Sequence, residues 1–279
     1  MDIETINNDR LSTYELEALK GVLDFKRPDE GVIERTADKI FRPIDRLGDA
    51  AFESKVGEQV AIAVSKVVEK INDAATWSVD TDALFQEFRE AGHEPRALRD
   101  IAWLPLEDVE DVRGRLALKY RAAATAEGAV VGATGAAGLA ADIPLLLAIA
   151  FRAVAEYATY YGFDIDEEAE RRYALDLVAT ASSPTQETRS QALAHLADRN
   201  AELSAQQEIR EAETVVAMQF VEKIAESLAV RLTRGKIGQA VPLVGSAIGA
   251  GFNGWFMTQV TELAEAMYRE RFLMRKYAN

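Results

Sequence analysis

Val56, Val60, Val64, Val67 and Ile71 recur three or four residues apart in ESKVGEQVAIAVSKVVEKINDAATW, with Glu58, Lys66, Glu69 and Lys70 between them. That spacing matches the 3.6-residue turn of an α-helix with one apolar face. The same period runs through nearly the whole chain. No run alternates β-branched and polar residues between turn signals, as a half-buried strand would. The pattern predicts an all-α protein, a single multi-helix domain in the manner of a helical bundle.

Capping residues and breakers divide the pattern into elements. Ser12 followed by Glu15 has the spacing of a capping box ahead of a helix to about Phe25, and Pro28 ends it. Asp80 is an N-cap for TDALFQEFREAGH, and EPRALRDIAWLP is a short helix between prolines. LEDVEDVRGRLALKYRAAATAEG reads as a helix feeding into EGAVVGATGAAGLAADIPLLLAIAF, where Asp142, Ile143 and Pro144 are the cap, linker and first-turn proline of a new one. That helix runs to Gly162, and FDIDEEAERRYALDLVATAS opens the next with its acids at the positive end of the helix dipole. A polar helix from Ser183 to about Asn200 and two long amphipathic pieces, AETVVAMQFVEKIAESLAVRL and KIGQAVPLVGSAIGAGFNGWFMTQVTELAEAMYRERFLMRKY, complete the chain. Residues 1–30 are expected to form an N-terminal helical extension and residues 31–279 the main domain.

Two stretches, residues 127–151 and AVPLVGSAIGAGFNGWFMTQV, are long and nearly uncharged. In the first, about nine large apolar residues favour insertion into a bilayer by on the order of 4 kcal/mol, and Asp142 opposes it by roughly 3. With Pro144 and the glycines added the balance is near zero. The second stretch carries Pro242, Asn253 and Gln259 and is no more favourable. In helical projection Gly128, Gly132 and Gly135 fall in a narrow arc with Gly138 close by, and Gly245 and Gly249 have small-xxx-small spacing. A central pair of Gly/Ala-faced helices packed together in the core is the favoured expectation; insertion, or exchange between core and bilayer, stays open.

The formal net charge of -14 excludes a primary nucleic-acid binder, because phosphate affinity comes from Lys and Arg. It also works against diffuse attraction to anionic lipid, so membrane contact would be apolar or locally basic. The absence of cysteine removes disulfides, thiol catalysis and Cys-ligated zinc. MDIETINNDRLSTYELEALKG has no basic segment leading into an apolar run, so a cytoplasmic protein is expected, peripheral to the inner face of the membrane if it meets one.

Candidate chemistry is sparse. GATGAAG lacks the lysine of a P-loop and the spacing of a dinucleotide fingerprint, and VGSAIG is not a nucleophile elbow. His93 and His195 belong to no metal-ligating pair, and Asp164, Asp166, Glu167 and Glu168 lack the pattern of a calcium loop. No catalytic residue, metal or cofactor is expected. The most pointed group is Glu127, Asp142, Arg152 and Glu156, charges set among apolar residues; Arg152 and Glu156 share a helix face. They form either an intrahelical pair with a helix cap or a buried cluster that meets a polar head group.

The glycine run ending in Asp142-Ile143-Pro144, the Arg152 to Glu156 pair before Tyr161-Gly162-Phe163-Asp164, and Pro242-Leu243-Val244-Gly245 with Gly249 and Gly251 resemble the EcsC family over about residues 50–275. The family is named for the third product of a bacterial ABC-transporter operon. The resemblance implies a bacterial, largely helical protein with membrane association through the two apolar segments, and it brings no catalytic residues. The reading is a non-enzymatic membrane-associated or lipid-binding accessory protein. Lipid would be contacted by Gly128, Gly132, Gly135, Gly138, Asp142, Arg152, Glu156, Gly245 and Gly249. A lipid or membrane surface and a helical protein both suit its apolar faces as partners. An enzyme using Glu127, Asp142 and Glu156 on an apolar substrate, and a soluble interaction scaffold, are the alternatives.

Overall fold

The computed structural model describes residues 6–26, 79–132, 136–182 and 245–277, with Ile62, Trp77, Leu193, Ala194 and Leu196 as single positions; side-chain surroundings are described for 6–26, 79–130, 142–182 and 250–277. The valine-striped helix expected near residues 53–77, the polar helix after Ser183 and the piece AETVVAMQFVEKIAESLAVRL lie outside the described residues. Those described form helices and turns with no strand among them.

A short 3-10 turn, Asn8–Arg10, precedes α1, Thr13–Lys26. The capping box is present: Ser12 Oγ accepts from the Glu15 amide at 3.1 Å, and Glu15 Oε2 accepts from the Ser12 amide at 3.0 Å. Next come α2, Thr81–Glu90, and α3, Leu98–Ile101. Asp80 caps α2 through the Ala83 amide at 3.0 Å. The helix expected from Leu106 onward is two helices, α4, Leu106–Arg113, and α5, Leu116–Gly132. Gly114 separates them with φ of 56° and ψ of -133°, a backbone that side-chain-bearing residues rarely adopt.

The helix α6 spans Ala136–Tyr160 and contains Pro144 in its interior. The expected boundary at Asp142 is therefore corrected: Asp142 lies within α6, which is described from Ala136, and not at its cap. A proline inside a helix removes one backbone hydrogen bond and crowds the carbonyl four residues back, here that of Ala140. Tertiary packing outweighs this local cost, since Ile143, Leu146, Leu147, Ala150 and Phe151 are buried around it. Gly162 ends α6 in a Schellman arrangement: Phe163 N–H donates to the Ala158 carbonyl at 2.9 Å and Gly162 N–H to that of Thr159 at 3.0 Å. Gly162 has φ of 80°, and a Cβ there would lie 2.6 Å from the Leu98 carbonyl oxygen. Then follow α7, Glu168–Ala181, and α8, Gly245–Tyr277.

The core is a mutually packed trio, α5, α6 and α8, with α1 and α7 laid against α8. Pairings fix the directions. Arg113 meets Glu265, Arg121 meets Thr261 and Glu262, and Asn253 meets Glu127, so α5 and α8 are antiparallel. Gly254 allows their close approach, because a Cβ on it would lie 2.8 Å from Thr125 Oγ1.

Candidate functional site

The four charges set among apolar residues fall into two groups, not one. At the Gly132 end of the trio, Asn253 on α8 donates its amide to Glu127 Oε2 on α5 at 2.7 Å and to Asp142 Oδ1 on α6 at 3.3 Å. Asp142 and Asn253 are fully buried. About 21 Å further along α6, by helical rise, Glu156 accepts from Arg152 Nε at 3.1 Å and from Lys119 Nζ of α5 at 2.8 Å. Burial opposes ionisation of Glu156, but hydrogen bonds from Lys119, Tyr120 and Arg152 and the Lys119 charge outweigh it and hold the carboxyl below its ordinary range. The Arg152 to Glu156 pair expected from i, i+4 spacing is thus present, joined by a second cation that sequence spacing could not supply.

Gly128 is buried in α5. Gly132 closes that helix, Gly138 lies in the first turns of α6, and Gly245 and Gly249 in those of α8. Gly138 therefore does not share a helix with Gly128, and the single arc projected from the sequence is broken. Gly135 and His195 lie outside the described residues. His93 follows α2 and pairs with Asp108 at 3.3 Å beside Glu87, Glu90 and Asp111. Among the described residues no three His, Asp or Glu side chains converge as a metal site would require.

Beyond the Arg121–Glu262 pair, toward the Gly132 end, the exposed positions of the trio whose surroundings are described are uncharged. Ala122, Ala123, Thr125, Ala126 and Val130 on α5, Leu145 and Ala148 on α6, and Gly251 on α8 are exposed, Val130 by 72% and Leu145 by 46%. The sequence has no charged residue from Ile237 to Thr261, and from Gly128 to Phe151 it has Asp142 alone. Within α6, Asp142–Tyr160 is long and apolar enough to cross a membrane, the one such stretch among the described residues; 67% of it is buried, as in the core helix of a folded domain.

A family model for the EcsC protein family matches residues 17–273. The chain belongs to the EcsC family. Among its relatives is the protein EcsC of Bacillus subtilis (strain 168), 25% identical over 232 residues, which cover 81% of this chain and 89% of the relative. YdbA of the same organism is 24% identical over 242 residues, covering 85% of this chain and 84% of the relative. No solved structure matches. The EcsC match begins within α1 and ends within α8, so it takes in every helix between them.

A separate polar network holds α8 in place, and the sequence reading missed it. Glu110 of α4 is 7% exposed and accepts two bonds from Arg269, at 2.6 and 2.8 Å, one from Tyr14 at 2.6 Å and one from Tyr161 at 2.8 Å. Arg271 pairs with Glu170 and lies over the rings of Phe163 and Tyr173 at 4.1 and 4.4 Å. Glu15 holds Lys276 at 2.9 Å and Tyr277 at 2.6 Å. Tyr161 is 51 residues from Glu110 and each of the other hydrogen-bonded partners more than ninety residues away along the chain, so no local pattern could show them.

Proposed function

We propose that this EcsC-family chain is a non-enzymatic membrane-associated or lipid-binding accessory protein that meets the bilayer with the uncharged end of α5, α6 and α8. The observation that carries the reading is the direction of the charges at that end. Glu127 and Asp142 turn onto the Asn253 amide, while the outer positions are Ala, Val, Leu, Thr and Gly. A water-facing helical bundle ordinarily places charges on its outer face. An exposed apolar face of this kind suits contact with lipid. From Ala122 to Gly132 the helix rises about 15 Å, half the thickness of a hydrocarbon core.

The test is flotation of detergent-free protein with phosphatidylcholine vesicles, together with mass spectrometry of an organic extract. Wild type should float or carry lipid. Val130→Asp and Leu145→Asp, at positions exposed enough to leave the fold intact, should reduce flotation at least tenfold, since an aspartate costs roughly 3 kcal/mol in hydrocarbon. Protein that stays behind and lipid-free would refute the reading and leave the trio a purely internal core.

A further inference from the structure

We infer that Arg115, Lys119 and Arg152 form a collar that binds the phosphate of anionic phospholipids where the uncharged end enters one leaflet. The inference rests on the membrane reading above and adds the lipid class and the depth. The collar stands where the uncharged surface stops: Arg115, immediately before α5, and Lys119, one turn into it, are both exposed, and Arg152 comes from α6. The side chains of Lys119 and Arg152 are 60% and 44% exposed, yet both are fixed by one carboxylate, Glu156, which is almost covered. Two cations on one carboxylate leave a positive charge facing outward, and Arg115 adds a second. Arg121, also at this level, is matched by Glu262.

The local sign opposes that of the whole chain, whose net charge is -14. Long-range attraction to an anionic surface is therefore weak, and binding must come from short-range contact within about a Debye length. Glu156 sets the geometry: by holding Lys119 and Arg152 on either side of itself it orders two flexible side chains before any ligand arrives. Fixed cations bordering an apolar face match the chemistry of a lipid, phosphate at the surface and acyl chains beneath.

Flotation is compared on vesicles of phosphatidylcholine alone and of two parts phosphatidylcholine to one part phosphatidylglycerol. Wild type should bind the mixed vesicles more tightly. Lys119→Gln and Arg152→Gln should each remove about fivefold of affinity on the mixed vesicles only. Lys20→Gln, the same change of net charge on the exposed side of α1, should do nothing. Equal binding to both vesicles, or equal loss in Lys20→Gln, overturns the collar and leaves the membrane reading standing. Failure of wild type to float with either vesicle overturns both. Displacement by millimolar inorganic phosphate would assign the site to free phosphate instead of lipid.

Discussion

Arg269 grips Glu110 through two parallel bonds, Nε to Oε1 at 2.6 Å and Nη2 to Oε2 at 2.8 Å, joining the last helix to α4. Tyr14 and Tyr161 complete the carboxylate, so α1 and the end of α6 depend on the same point. Removing one partner of such a buried pair strands the other charge, at a cost of about 3–5 kcal/mol. Arg269→Leu should lower stability by that amount in urea unfolding, and Arg269→Lys should recover only part, because an ammonium cannot make the paired bonds. A change within about 0.5 kcal/mol, the range of ordinary surface substitutions, would show that the network adds nothing.

Acid should weaken the fold in a defined window. Burial opposes ionisation of Glu15, Glu110 and Glu156, and each is nevertheless held below its ordinary range by hydrogen bonds: from Tyr277 and Lys276, from Arg269, and from Lys119 respectively. A depressed folded value means stability that is fully present above the unfolded carboxyl value of about 4.3 and lost as pH falls through the folded values. Urea midpoints should be flat from neutral pH to about 5 and then drop. Glu110→Gln should start lower and fall less steeply; a midpoint that rises toward acid contradicts the assignment.

Gly92 and Gly162 both end helices with positive φ, 90° and 80°, but differ in surroundings. A Cβ at Gly92 meets nothing within 4 Å, whereas at Gly162 it meets the Leu98 carbonyl at 2.6 Å. Gly92→Ala should cost about 1–2 kcal/mol, the penalty of the left-handed backbone alone. Gly162→Ala should cost more, because α3 must also move. Thermal melts of the two variants separate the terms, and equal losses would mean that the Leu98 contact is easily relieved.

Asn253→Leu keeps the volume of the buried side chain and removes the donors to Glu127 and Asp142. Leaving the two carboxyl groups without that amide should lower stability by about 1–3 kcal/mol. Calorimetry decides it: a variant as stable as wild type would show that the amide is not what holds the carboxylates.

Much of the fold was legible in local pattern. The Ser12 and Asp80 caps, the stop at Gly162 and the absence of strands all follow from rules that operate within a turn or two of the chain. The misread boundaries arose where tertiary packing overrides such rules: Pro144 sits inside α6 because a buried apolar face surrounds it, and Gly114 breaks a helix whose periodicity continues on either side. The candidate site was half legible. Arg152 and Glu156 could be paired from spacing, but Lys119 joins them only because α5 folds back antiparallel to α6. Asn253 stood in the sequence as a polar residue that weakened a membrane span, and its two carboxylates lie on other helices. Glu110 and Arg269 stand 159 residues apart, and no local spacing marks them as a pair.

The clasp between the beginning and end of the helical order sets a timetable for folding. Lys26 reaches Glu270, and Glu15 reaches Lys276 and Tyr277, across more than two hundred residues. As the chain is synthesised, α1 emerges with an apolar stripe of Ala18, Leu19 and Val22 whose seat on α8 has yet to be made. Contacts of such sequence separation form late and slowly. During that interval the stripe is open to other molecules, and the docking of α8 is the event that covers it.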